Sequence, residues 1–279
     1  MDILRIAAFS EGGSGGNPAG VVIEQKLPET SEMQRIAHEV GYSETAFAAP
    51  SEDGYRVRYF SPESEVPFCG HATIALGAAL AMQEGNDVFQ LSLNEANISV
   101  EGRRDGDFIW AALRSPLTKS VPAEPSLVKE ALALFGYSHD DLDLRIPPAI
   151  AEAGATHLVL ALRERSKLAA MDYDLDAGRK LMNGAGLVTI NLIYAENDRL
   201  FHARNAFASG GVLEDPATGA AAAALAGYLR DLGWAHDNSI EIVQGEDMDA
   251  KSRLKAEFSD DPGSSITVSG NARVMSDQG

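Results

Sequence analysis

The 279 residues are 45% hydrophobic and 23% charged, with a formal net charge of −18, a globular composition long enough for one or two domains with real cores. That charge argues against nucleic acid and anionic membrane as partners, which need a basic stripe, and leaves a small molecule as the default substrate, acids included, because backbone dipoles bind anions without basic side chains. One cysteine, Cys69, excludes an intrachain disulfide framework and favours a cytoplasmic setting; no signal peptide is expected from Met1-Asp2-Ile3-Leu4-Arg5, and no apolar run reaches the roughly 18 residues of a membrane helix.

Near the start, Gly12-Gly13-Ser14-Gly15-Gly16 formally contains G-x-S-x-G. The following Asn17-Pro18-Ala19-Gly20 leads into an apolar run at 21–23 and not into a helix, so neither a nucleophile elbow nor a dinucleotide fingerprint is expected. The run itself reads as a buried strand. Residues 31–41 place Met33, Ile36, Ala37 and Val40 at helical spacing, with Gly41 as the stop. A strand-like run follows Glu44, and residues 72–80 form a helix with almost no polar face, hence a buried one. Strands are expected at 89–93 and 98–100, and the Pro-rich stretch 114–125 reads as a boundary. The order then repeats: a strand at 158–160, a helix at 174–184, a second apolar helix at 220–229, and strands at 240–243 and 254–258.

The repeat is also visible residue by residue. Glu65-x-Pro67-x-x-Gly70-x-Ala72-x-x-Ala75-Leu76 matches Glu214-x-Pro216-x-x-Gly219-x-Ala221-x-x-Ala224-Leu225 at a constant offset of 149. Upstream, Phe47 and Phe60 match Tyr194 and Phe207 at an offset of 147, which implies a two-residue insertion within 208–211. On that offset Asn191 stands where the second copy would repeat Glu44, and Thr218 stands opposite Cys69. The pattern predicts an α+β chain of two pseudo-symmetric domains, 1–117 and 118–279, with the last ~15 residues able to pack back on the first. Each is a strongly curved sheet wrapped around one buried central helix.

A buried helix leaves its first N–H groups unpaired and partially positive, so its start must open onto a cavity or be capped. Small residues at Gly70 and Gly219 let a ligand approach the backbone, or serve only tight packing. Glu44, ahead of a buried strand, reads either as a desolvated carboxylate suited to proton transfer or as a turn residue capped by Ser43. His71 and Asp215 beside the helix starts read as proton-handling groups or as caps. Cys69 reads as a small buried hydrophobe before it reads as a nucleophile. The histidines at 38, 71, 139, 157, 202 and 236 are scattered, with no H-x-x-x-H pair or Cys/His cluster, so neither a metal nor a nucleotide cofactor is expected.

Gly16-Asn17-Pro18-Ala19-Gly20-Val21-Val22, Ser43-Glu44-Thr45-Ala46-Phe47, Cys69-Gly70-His71-Ala72-Thr73 and Asp215-Pro216-Ala217-Thr218-Gly219, in this order and spacing, resemble the PhzF-like phenazine-biosynthesis family. The resemblance implies the diaminopimelate-epimerase-like fold with its site in the interdomain cleft, cofactor-free isomerase chemistry and commonly a homodimer. It implies Glu44 as the catalytic glutamate with His71 and Asp215 in support. Asn17, Ser43, Gly70, Ala72, Thr73, Thr218, Gly219 and Ala220 are then the substrate-contacting set. Two departures weaken the link to isomerisation of trans-2,3-dihydro-3-hydroxyanthranilate, the family's phenazine step. The family's serine after the Asp-Pro-Ala-Thr-Gly motif is Ala220 here, and its Gln-Gly-x-x-x-Gly-Arg-Pro-Ser stretch keeps only Gln244, Gly245 and Ser252. The expected function is an isomerase acting on a small carboxylated substrate. The alternative is a non-catalytic acid-binding or interaction protein on the same fold. A two-thiol epimerase is disfavoured, because Thr218 replaces the second cysteine.

Overall fold

The structure, a computed structural model, describes residues 1–94, 96–234 and 237–275; His236 lies outside them. It divides into two compact units, Met1–Arg114 with the segment from Ser269, and Ser115–Val268. Ser115 belongs to the second because its N–H donates to the Ile266 carbonyl and its hydroxyl accepts from the Ile266 N–H.

In the first unit the strands close on themselves. Thr267–Val274 pairs with Leu4–Ala8 and with Phe108–Arg114. Leu4–Ala8 pairs with Asn17–Ile23, which runs parallel to Thr45–Ser51, and Thr45–Ser51 forms a hairpin with Gly54–Phe60. Gly54–Phe60 pairs in parallel with Asp87–Ser92, and Asn97–Asp105 links that strand to Phe108–Arg114. The helix Gly70–Glu84 threads this ring, with every residue from His71 to Ala81 buried. A second helix, Thr30–Val40, covers the outside through Met33 and Ile36, which pack on Phe47 and Phe60, and it ends at Gly41 in a left-handed turn.

The second unit repeats the plan. Lys119–Pro122, Ala149–Glu152, Thr156–Ala161, Thr189–Ala195, Leu200–Ala206, Ser239–Gln244 and Ser252–Glu257 pair in that order. The helix Gly219–Leu232 is buried from Ala221 to Arg230, and Leu175–Ala185 is the outer helix. The outer helix begins at an Asp174 cap that accepts from the Ala177 N–H, and it stops at Gly186. The expected stop at Gly184 therefore lies inside the helix, because only Gly186 takes the left-handed conformation. The predicted linker 114–125 contains the strand Lys119–Pro122, whose pairing to Ala149–Glu152 its prolines do not prevent at an edge.

Packing of the first central helix depends on glycine at one crossing. A Cβ on Gly102 would meet the Gly77 carbonyl oxygen at 2.2 Å, and a Cβ on Gly77 would meet Val100 at 2.5 Å. Backbone cannot step aside as a flexible side chain can, so Gly102→Ala should lower stability by about 1–3 kcal/mol in urea unfolding. Gly184→Ala meets nothing within 4 Å and needs no positive φ; it should instead stabilise by about 0.5–1 kcal/mol.

Candidate active site

The turn before each central helix is pinned by an ion pair. In the first unit Phe60 pairs with Glu65, and Arg58, two residues back on the same strand, donates to the Glu65 carboxylate at 2.7 Å. In the second unit Ala206 pairs with Glu214, and Arg204 donates to Glu214 at 3.0 Å from a buried position. The repeated glutamate of the sequence motif is thus half of a repeated Arg–Glu pair that sets where the helix begins.

These pairings correct the register read from sequence. Phe60 corresponds to Ala206, not to Phe207, because each closes its strand opposite the motif glutamate. Thr45 pairs with Phe60 as Ile190 pairs with Ala206. The residue matching Glu44 is therefore Thr189, and Asn191 matches Ala46. The loop that carries the difference contains a short helical turn at Ala208–Gly210, and its added length could not be read from its glycines.

Glu44 immediately precedes the strand Thr45–Ser51, where its carbonyl accepts from the Gly20 N–H. Its side chain is 14% exposed, and a carboxylate oxygen lies 3.4 Å from His71 Nε2. Ser43 Oγ lies 3.3 Å from the same nitrogen, and Cys69 Sγ lies 3.3 Å from His71 Nδ1. The imidazole is thus held on both edges. His71 is the second residue of its helix, and neither it nor Cys69, the N-cap residue, caps the helix with a side-chain hydrogen bond. The first intrahelical bond is made by the Thr73 N–H to the Cys69 carbonyl, so the N–H groups of Gly70, His71 and Ala72 precede it. Ala72 and Thr73 are fully buried, and the Thr73 hydroxyl bonds the Cys69 carbonyl and Tyr59.

At the same end of the adjacent parallel strand, Asn17 heads Asn17–Ile23, buried and paired to Ala8. Ser14 is exposed in the turn before it, bonded to the Glu11 carbonyl. In the second unit Asp215 sits in a two-residue strand paired with Asn205 and accepts from the Thr218 hydroxyl. Thr218, not Asp215, is the N-cap residue, and Gly219 and Ala220 open the helix. Gln244 was not singled out as a site residue from sequence. It is buried, accepts from the Thr218 N–H at 3.1 Å, and donates to the Asp215 carbonyl and to Thr218 Oγ1. Its place in the Gln-Gly stretch was the available signal.

The expectation of no Cys/His cluster fails. Glu44, Cys69 and His71 each offer a ligand atom within 4.8 Å of the others. The spacing Cys69-x-His71 was visible in sequence, but Glu44 joins only through the fold.

The position matching Glu44 in the second unit carries different chemistry. Thr189 Oγ1 donates to Asn205 at 2.8 Å and lies 2.8 Å from His157 Nδ1. With the hydroxyl proton committed to Asn205, His157 must donate through Nδ1 as a neutral ring. Complete burial agrees, pushing its pKa down to about 4.

Both units define the fold class of the diaminopimelate epimerases: paired, sheet-wrapped helices whose starts bear the polar residues. The sequence profile of the PhzC-PhzF family, "Phenazine biosynthesis-like protein", matches residues 6–278, and the chain belongs to that family. An uncharacterized isomerase of Escherichia coli (strain K12), YddE, is 30% identical over 98% of this chain and 96% of its own length. The trans-2,3-dihydro-3-hydroxyanthranilate isomerase of Pseudomonas aeruginosa is 29% identical over 98% of this chain and 96% of its own. A Bacillus anthracis phenazine biosynthesis protein of the PhzF family superposes with a TM-score of 0.86 at 22% identity, covering 98% of this chain and 96% of that one; it shows the shared fold. No helix among the described residues is long and apolar enough to cross a membrane.

His157 generates a pH prediction. Its folded pKa of about 4 lies below the ordinary histidine value of about 6.5, so between these values the unfolded chain binds the extra proton. Stability is then full above about pH 6.5 and falls as pH drops toward 4. About 2 kcal/mol should be lost between pH 7 and pH 5 in urea titrations, and His157→Asn should flatten that part of the slope.

Proposed function

We propose that this chain is a cofactor-independent isomerase that moves a proton between carbons of a small carboxylated substrate, with Glu44 as the transferring group. The observation that carries this reading is the Glu44–His71 contact of 3.4 Å at the start of a buried helix. A carboxylate there is largely withdrawn from solvent, and the imidazole beside it can stabilise either protonation state. Membership of a family whose relatives are named isomerases supports the same class of reaction.

In this reading Glu44 takes a proton from carbon and returns it to another carbon of the same framework, so no electrons are gained or lost. His71 orients the carboxylate, and Ser43 extends the polar edge. The N–H groups of Gly70 to Ala72 stabilise negative charge that develops on the substrate. Asn17 and Thr73 shape the first unit's contribution. Asp215 serves as a second proton-handling or orienting group, held by Thr218 and the Gln244 clamp, with Gly219 and Ala220 at the adjacent helix start. Since Ala220 lacks the hydroxyl that the resembled family carries there, the preferred substrate differs from the phenazine precursor in the group that position would contact.

Solvent deuterium incorporation tests the proposal. Trans-2,3-dihydro-3-hydroxyanthranilate and a panel of small hydroxy and unsaturated acids are incubated in D2O and read by NMR. The parent chain should label at least one acid, and Glu44→Gln should lower its rate by at least about 100-fold. Asp215→Asn should lower it as well. Saturable binding with no label in any acid would instead favour a binding protein, and unchanged labelling in Glu44→Gln would remove that residue from the chemistry.

A further inference from the structure

Glu44, Cys69 and His71 present three different donor types to one point. Their ligand atoms all lie within 4.8 Å of one another, and theirs is the group of this kind found among the described residues. His71 Nε2 is 3.4 Å from Glu44 Oε2 and 4.0 Å from Cys69 Sγ. A tetrahedral zinc ion with bonds of about 2.0–2.3 Å separates its ligand atoms by roughly 3.3–3.8 Å. The His71–Cys69 separation needs to close by a few tenths of an ångström, and the longest separation in the cluster, at most 4.8 Å, by up to about 1 Å, a side-chain adjustment.

We propose that this cluster is a binding site for a borderline-soft divalent cation of the zinc type, and that the ion inhibits the enzyme reversibly by occupying Glu44. The inhibitory half rests on the proton-transfer role proposed above; the binding half does not.

Thiolate, imidazole and carboxylate together suit zinc better than magnesium or calcium, which favour oxygen alone. Charge also matches. A divalent ion, one thiolate, one carboxylate and a neutral imidazole sum to zero, which suits a cluster where His71 and Cys69 are buried and Glu44 nearly so. Three protein ligands leave the fourth position open for water or a substrate carboxylate. The step is ligand exchange without redox: the Cys69 thiol gives its proton to solvent as the sulfur–metal bond forms. While the ion is bound, the Glu44 oxygen that would accept the substrate proton is spent on the metal. Cys69 thereby acquires a role that the proton-transfer reaction does not give it.

The test uses the full chain after chelator treatment, with Zn2+ titrated against a chromophoric competitor and Co2+ as a spectroscopic probe. The parent should bind zinc, show a thiolate-to-cobalt charge-transfer band, and lose isotope exchange as zinc is added. Cys69→Ala should lose the band, bind zinc more than about tenfold more weakly, and show the same exchange rate with zinc as without it, whatever its own basal rate. Circular dichroism establishes that it is folded, and Cys69→Ser provides a second variant. His202, which contacts Glu196 at 2.7 Å and Glu246 at 3.2 Å, is the control site. Zinc affinity that survives in Cys69→Ala, or falls only in His202→Gln, overturns the proposal, as does a cobalt spectrum without the thiolate band. The two readings fail separately. Loss of zinc binding in Glu44→Gln with undiminished isotope exchange would sink the proton-transfer role and leave the metal site standing. Normal zinc affinity in Cys69→Ala would do the reverse.

Discussion

An α-helix with no polar face has to be surrounded, and the unpaired N–H groups of its first turn then have to emerge somewhere. Most of this structure follows from that constraint. The helix Gly70–Glu84 carries alanine and glycine on nearly every side, so the sheet closes around it and reaches its backbone at Gly77 and Gly102. The polar residues that the ring does not admit collect at the helix start. The Arg58–Glu65 and Arg204–Glu214 pairs then fix the turn that delivers the chain to each start. Because these pairs hold charge against charge at partly or wholly buried positions, truncating one partner would cost more than a surface pair would.

The two units keep this scaffold and differ in chemistry. Where the first has Glu44, the second has Thr189, tied into a neutral hydrogen-bonded chain with His157 and Asn205. Where the first has Cys69 and His71, the second has Thr218 and Ala220. At its central helix start the first unit gathers Glu44, Cys69 and His71, whereas at the second helix start Asp215 is bonded to the Thr218 hydroxyl. In the proposed reading, this asymmetry is what would assign proton transfer to one carboxylate.

Much of the fold was legible because the strongest signals were local. Two apolar helices, two amphipathic helices ending near glycine, and the Glu-Pro-Gly register all reappear as expected elements. The strands Phe108–Arg114 and Lys119–Pro122 were hidden, the second by prolines that look like a linker but sit at an edge. The register slip had a physical cause. Aromatic identity drew Phe60 onto Phe207, whereas the ion pair aligns Arg58 with Arg204, and loop length leaves no periodic trace. The sequence reading put Glu44 ahead of a strand and His71 and Asp215 near the two helix starts, where they lie in the structure. It could not show that Glu44, Cys69 and His71 converge, since that depends on long-range strand pairing, or that Gln244 clamps the second helix start.

The central claim is that one largely buried carboxylate both removes and returns the proton. A substrate deuterated at the reacting carbon, turned over once in ordinary water, tests it most directly by mass spectrometry of the product. Glu44 carries a single proton and its side chain is only 14% exposed, so part of the deuterium should return to the product at the new position. Complete loss of the label in a single turnover would contradict the account, because it is the result expected when separate groups remove and deliver the proton.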